Sequence, residues 1–174
     1  MEEQIMNMPA VALRGLTILP GMIAHFDISR ERSLRAVEEA MEQDQKIYLV
    51  TQRNVDSEDP TQEDLYQMGI VADIKQVVRL QNDVVRILVD GISRAALLGF
   101  TGNEKYLEAE ICYCDSNADS LPEDLREAML LGVREAFHRY AAVVGKISKE
   151  LIRQIDQYED LEKLIDYVTN NLPV

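Results

Sequence analysis

The sequence holds side chains that can make and break bonds, but not at the spacings catalysis needs. Hydrolysis by a Ser, Cys or Thr requires an adjacent base that is itself held in place. Two histidines are available for that role: His25 in an apolar run, and His138 beside Arg139 in a helical pattern. His25 reads as a satisfied core or rim residue and His138 as a solvated helix residue. No G-x-S-x-G elbow accompanies either. Gly145-Lys146-Ile147-Ser148 superficially looks like the end of a phosphate-binding loop. The upstream glycine and preceding strand are missing and the serine comes one place late, so it reads as one helix ending and the next being capped. Cys112 and Cys114 stand at i and i+2, on the same side of a strand, where a disulfide would be strained. A lone C-x-C also lacks the remaining ligands of a zinc site. Acidic pairs such as Glu38-Glu39 and Glu159-Asp160 are solvated surface in a chain this acidic. No catalytic, cofactor-binding or metal-binding residue is assigned.

The most informative local feature is apolar. Leu19, Pro20, Met22 and Ile23 surround a Pro-Gly turn, where burial is hard to arrange. Two readings stay open: a loop folded back over the end of the β-structure, or an adhesive patch for unfolded polypeptide. Methionine suits the second, because its side chain adapts to varied partners.

The elements around that loop follow from periodicity. Pro9 to Arg14 and Ile23 to Ile28 read as strands. Ser29 is the expected helix cap, with Glu31 in the first turn and Leu34, Val37 and Met41 on one face. Ile47 to Val50 reads as a short buried strand, and Asn54 to Asp64 as an exposed loop. From Ile70 the period is two: Ile70, Ala72, Ile74, Val78 and Leu80 take one face, Asp73, Lys75 and Arg79 the other. Gln81-Asn82-Asp83 turns the chain into Val85, Ile87 and Val89. Gly91 is expected to separate that strand from another over Arg94 to Phe100, and Tyr106 to Tyr113 alternates again. Several antiparallel strands with one early helix predict a small barrel or sandwich.

The texture changes at the polar stretch Asp115 to Ser120. Ser120-Leu121-Pro122-Glu123 has capping-box spacing, and Leu125, Met129, Val133, Phe137, Tyr140 and Val144 follow as a helical stripe. Ser148 is expected to cap a helix bearing Leu151, Ile152 and Ile155, and Leu161, Leu164, Ile165 and Val168 mark a further one. The division is thus a β-rich part, residues 1–115, and a helical part, residues 116–174.

The 174 residues include 31 acids against 18 Lys and Arg, a formal charge of −13. That balance disfavours phosphate backbones and anionic lipid, whose binding rests on Lys and Arg. Met1-Glu2-Glu3-Gln4 is unlike a basic signal-peptide start, and no run approaches the ~18 apolar residues a membrane span needs. With two cysteines close together, this points to a reducing cytoplasm.

Several segments together resemble a family. Pro9-Ala-Val-Ala-Leu-Arg-Gly-Leu-Thr-Ile-Leu-Pro-Gly-Met22 resembles the opening of bacterial Lon proteases, "P-L-R-x-x-v-v-f-P-g-m". Arg30-Glu-Arg-Ser33 with Ala40-Met41 resembles their first helix, and Asp59-Pro60, Asp64-Leu-Tyr66 and Gly69-Ile-Val-Ala72 the segment that follows. Val85-Arg-Ile-Leu-Val-Asp-Gly91 with Arg94-Ala95, then Tyr106-Leu-Glu-Ala-Glu110, continue in the same order, and Leu172-Pro173 resembles the closing "N-L-P". Gln81-Asn82-Asp83 departs from it, since the family often has Gly in that hairpin.

The resemblance implies an α+β fold, a PUA-like small β-barrel followed by a helical subdomain. It implies a non-catalytic substrate-recognition and assembly domain, whose parent carries an AAA+ ATPase using ATP and Mg and a Ser-Lys protease. None of those motifs has a counterpart here, which fits a piece of a longer chain. The implied partners are unfolded or degron-bearing proteins and sister protomers of a homohexamer. The contact residues expected from the loop are Leu19, Pro20, Met22 and Ile23. A stand-alone binding module and a purely structural oligomerisation domain are the alternative readings.

Overall fold

A computed structural model describes residues 5–114 and 118–172; the expectations for Met1 to Gln4, for 115–117 of the polar stretch and for Pro173 fall outside them. Contacts divide the chain into two compact units, Met1–Cys114 and Asp115–Val174.

The first unit contains β1 (Ile5–Leu13), β2 (Ile23–Ile28), α1 (Glu31–Glu42), β3 (Lys46–Thr51), β4 (Met68–Arg79), β5 (Val85–Phe100) and β6 (Glu108–Tyr113). The sheet order is β2-β5-β4-β3-β1-β6, and β5 also pairs with β6. Strands β5, β4, β3, β1 and β6 therefore close into a ring, with β2 attached outside it along the first half of β5. The β1–β3 pair is parallel and the other pairs antiparallel. A parallel pair needs a crossover, which β2 and α1 supply. β1 changes partner midway, from β6 over Ile5–Pro9 to β3 over Ala10–Leu13.

β3 shows why the unit holds together. Its alternating residues feed two cores: Ile47 and Leu49 join Ala36, Val37, Ile70 and Ile87 on one side. Tyr48 and Val50 join Ala10, Val71, Leu97 and Ile111 on the other. The Tyr48 ring is fully buried, and its hydroxyl donates to the Ala95 carbonyl at 3.0 Å. Burial pushes the phenol well above its ordinary pKa. Tyr48→Phe would remove this buried bond, so we expect a loss of about 1–2 kcal/mol, seen as a lower urea midpoint with an unchanged slope.

Several expectations need correction. β5 runs unbroken through Gly91; the glycine marks an irregularity opposite Val71/Ala72 and not the end of a strand. Val78 and Leu80 are exposed despite their alternation. Pairing with β3 stops at Asp73 and the β4–β5 register shifts after Ile74, so the hairpin arm outruns the core. Its turn is as expected, with Asn82 and Asp83 at φ 60° and 57°. The N-cap of α1 is Arg30, not Ser29, and has no side-chain cap bond. Its buried face is Ser33, Ala36, Val37 and Ala40, leaving Met41 exposed. Small residues let the helix approach β1 and β3 closely, and that outweighs the larger apolar side chains.

The second unit contains α2 (Glu123–Val144), α3 (Lys149–Gln157) and α4 (Leu161–Asn170). Gly145 at φ 67° ends α2. Ser148 Oγ accepts the Leu151 N–H at 3.1 Å, and Asp160 caps α4 through the Lys163 N–H. The N-cap of α2 is Pro122, not Ser120. The core is Leu130, Phe137, Ala141, Ile155, Leu161 and Leu164. Leu125, Met129, Val144 and Ile165, expected inside, are exposed. Two short partner helices cover only part of α2, so its buried stripe is narrower than its apolar one.

Candidate functional site

Three backbone hydrogen bonds set the geometry of the Pro-Gly loop. The Met22 N–H donates to the Leu19 carbonyl at 3.1 Å, closing a turn with Pro20 and Gly21 at its centre. Gly21 takes φ 72°, which a Pro-Gly turn of this kind requires. The Gly21 N–H then donates to the Gly91 carbonyl at 2.8 Å, and the Gly91 N–H to the Met22 carbonyl at 3.0 Å. This seat exists because Gly91 has no side chain. A Cβ there would lie 2.3 Å from the Leu19 carbonyl oxygen and 2.9 Å from Ile70 Cδ1.

Side chains leave this platform in both directions. Ile18 is buried, and Met22 packs partly against the core behind it. Leu19 and Pro20 are half-buried, while Ile23 opens β2 at 68% exposure. Ile23 pairs with Asp90, and Ile92, two residues further along β5, is 45% exposed. Ile92 lies where the β4–β5 register shifts, a feature that sequence periodicity does not reveal. Further along that register Arg86 grips Asp27 with two bonds, 2.7 and 2.8 Å, which holds the Asp27 carboxyl below its ordinary range.

The side chains considered for chemistry are spread over several elements of the two units. His25 is exposed on β2. His138 Nε2 lies 2.8 Å from Asp156 Oδ1, joining α2 to α3. Cys112 and Cys114 are both free thiols. Among the described residues no group of three or more His, Cys, Asp or Glu could hold a metal ion, and no helix is long and apolar enough to cross a membrane.

A rigid loop with an outward apolar edge can hold something without transforming it. Residues 7–174 match the family described as the ATP-dependent protease La (LON) substrate-binding domain. The chain belongs to that family. The full chain is 36% identical to a Lon protease of Lachnoclostridium phytofermentans, and 95% of it is 35% identical to one of Clostridioides difficile. It spans 22% of the length of each. Among solved structures, the N-terminal domain of Mycobacterium avium complex Lon protease is similar in fold. It has a TM-score of 0.60 at 17% identity, over 96% of this chain and all of the other. The Lon N-terminal domain protein from Xanthomonas campestris gives 0.54 at 14%, over 97% of this chain and 99% of the other. The family and the fold agree with the α+β architecture, and the Lon domain matched is the part that binds substrate.

Proposed function

We propose that this Lon domain recruits clients for an ATP-driven protease, gripping unfolded or degron-bearing polypeptide while other domains of the parent supply ATP-dependent unfolding and peptide cleavage. The observation that carries this reading is Ile23, 68% exposed on a backbone seat pinned by Gly91. An apolar side chain held out by a rigid turn gives up little entropy on binding. Leu19, Pro20 and Met22 extend the surface, and weak contacts of this kind gain strength when several copies surround one pore. We read the barrel as PUA-like, the parent as a cytoplasmic homohexamer, and ATP and Mg as ligands of its ATPase domain. The free thiols Cys112 and Cys114 fit that compartment.

Binding of labelled unfolded casein to the 174-residue chain tests the reading. Leu19→Ser with Ile23→Ser should weaken it about tenfold or more, since fully burying one large aliphatic side chain is worth roughly 1.5–3 kcal/mol. Unchanged affinity in the double variant would remove this patch.

A second role, contact between protomers, is favoured by the helical unit. Leu125, Met129, Leu131 and Val143 of α2 are exposed, Val143 at 87%. Sedimentation velocity should show concentration-dependent association that Leu131→Glu abolishes; a strict monomer at high concentration rules the role out.

A further inference from the structure

Where β1 ends and α1 begins, two cavities meet. One, about 460 Å³, is lined by Arg14, Arg30 and Arg32 with the first turn of α1, and by Glu58 and Asp59 across from them. The other, about 230 Å³, shares Arg14 and Arg30 and has Leu16 and Phe26 in its wall, both partly exposed.

Among the described residues, the two guanidiniums common to both cavities have no carboxylate as hydrogen-bond partner. Arg30 donates to the Ala12 carbonyl at 3.0 Å, to Gln52 Oε1 at 2.8 Å and to the Glu58 carbonyl at 3.1 Å. Arg14 donates to the Ser57 carbonyl at 2.8 Å. All four acceptors are neutral, and a guanidinium has five N–H donors, so both side chains keep donors to spare. The carboxylates nearby are engaged elsewhere: Asp59 with Arg32 at 3.1 Å, Glu31 with Arg35 at 2.8 Å, and Asp27 with Arg86 at 2.7 Å. Glu58 reaches Arg30 through its backbone only. In a chain of charge −13, two cations are thus held together by neutral oxygens. Burial and then the Arg14 charge lower the Arg30 pKa, with Asp59 opposing. The start of α1 adds amides with no side-chain cap and the positive end of its dipole.

We propose that Arg14 and Arg30, with the uncapped start of α1, bind a carboxylate of an extended peptide, and that the smaller cavity takes its neighbouring apolar side chain. Planar guanidinium forks match carboxylate geometry. The adjoining cavity, with Leu16 and Phe26 in an otherwise largely polar wall, leaves room for a side chain beside the charge, which a peptide carries and an inorganic anion does not. The peptide's identity as a client segment rests on the client-binding reading above. The carboxylate can be a chain terminus or an Asp or Glu side chain.

The test is calorimetric titration of the 174-residue chain at low salt with four probes. These are acetyl-Gly-Ser-Gly-Leu-Glu with a free C-terminus, its C-terminal amide, the amide with Gln in place of Glu, and inorganic phosphate. The free peptide should bind, and whichever carboxylate matters is the one whose removal abolishes binding. Arg14→Gln should weaken binding at least about tenfold, and Arg14→Lys should restore part of it. Arg14 is exposed and holds a single loop carbonyl, so its variants should keep the wild-type melting profile. Arg30→Gln, which releases buried Gln52, serves only if it folds. Equal binding of the uncharged peptide, an unaffected Arg14→Gln variant, or phosphate binding that the peptide cannot displace overturns the proposal. Casein binding is measured alongside. If the peptide fails while casein still depends on Leu19 and Ile23, the arginine site falls and the client-binding reading stands; if both fail, both fall.

Discussion

Gly91→Ala is expected to destabilise the barrel unit by about 2–3 kcal/mol and to loosen the client-facing loop with it. The added Cβ would sit 2.3 Å from a backbone oxygen, that of Leu19, so no rotamer change relieves the clash. Relief requires moving the loop, which breaks the bonds from the Gly21 N–H to the Gly91 carbonyl and from the Gly91 N–H to the Met22 carbonyl. Stability and casein affinity should therefore fall together, although Gly91 is not among the contact residues. Gly132→Ala is the control. Nothing lies within 4 Å of its Cβ position on α2, and replacing a helical glycine should stabilise by roughly 0.5–1 kcal/mol. Urea titration of both variants decides it; a Gly91→Ala protein as stable as the parent chain would show that the loop yields freely.

Ile155→Ala should have a larger and more local effect. Ile155 is fully buried in a core of six buried residues among those described, so a loss of about 3–4 kcal/mol removes much of what holds α2, α3 and α4 together. The helical residues form a compact unit of their own. Its amide protection should collapse in hydrogen exchange while that of β3, β4 and β5 persists. Simultaneous loss of protection in both units would show that they unfold as one.

Local rules were legible in the sequence where neighbouring residues decide the outcome. The Asn82-Asp83 turn, the alternation of Val85, Ile87 and Val89, the Gly145 helix end and the Ser148 cap all form as their chemistry requires. What depends on distant partners was not. Gly91 looks like punctuation until Leu19 is seen against it. Val78 and Leu80 keep their alternation, but no third strand reaches them. The stripe on α2 promises burial for Leu125 and Met129, which short α3 and α4 do not deliver. The loop patch follows the same division. Leu19, Pro20, Met22 and Ile23 are neighbours in sequence and could be named, whereas Arg14 and Arg30 meet only when β1 and α1 are in place.

The pairing of Ile5 with Cys112 fixes the order in which the ring can be completed on the ribosome. The first half of β1, whose second half pairs with the much nearer β3, has its partner at the far end of the unit, roughly a hundred residues later. At about 5–20 residues per second that is a wait of some 5–20 s, with Met6 and Met8 unprotected meanwhile. Closure is also non-local, which slows it further. A nascent chain of this kind therefore presents itself to chaperones as an unfinished β-protein before it ever holds another.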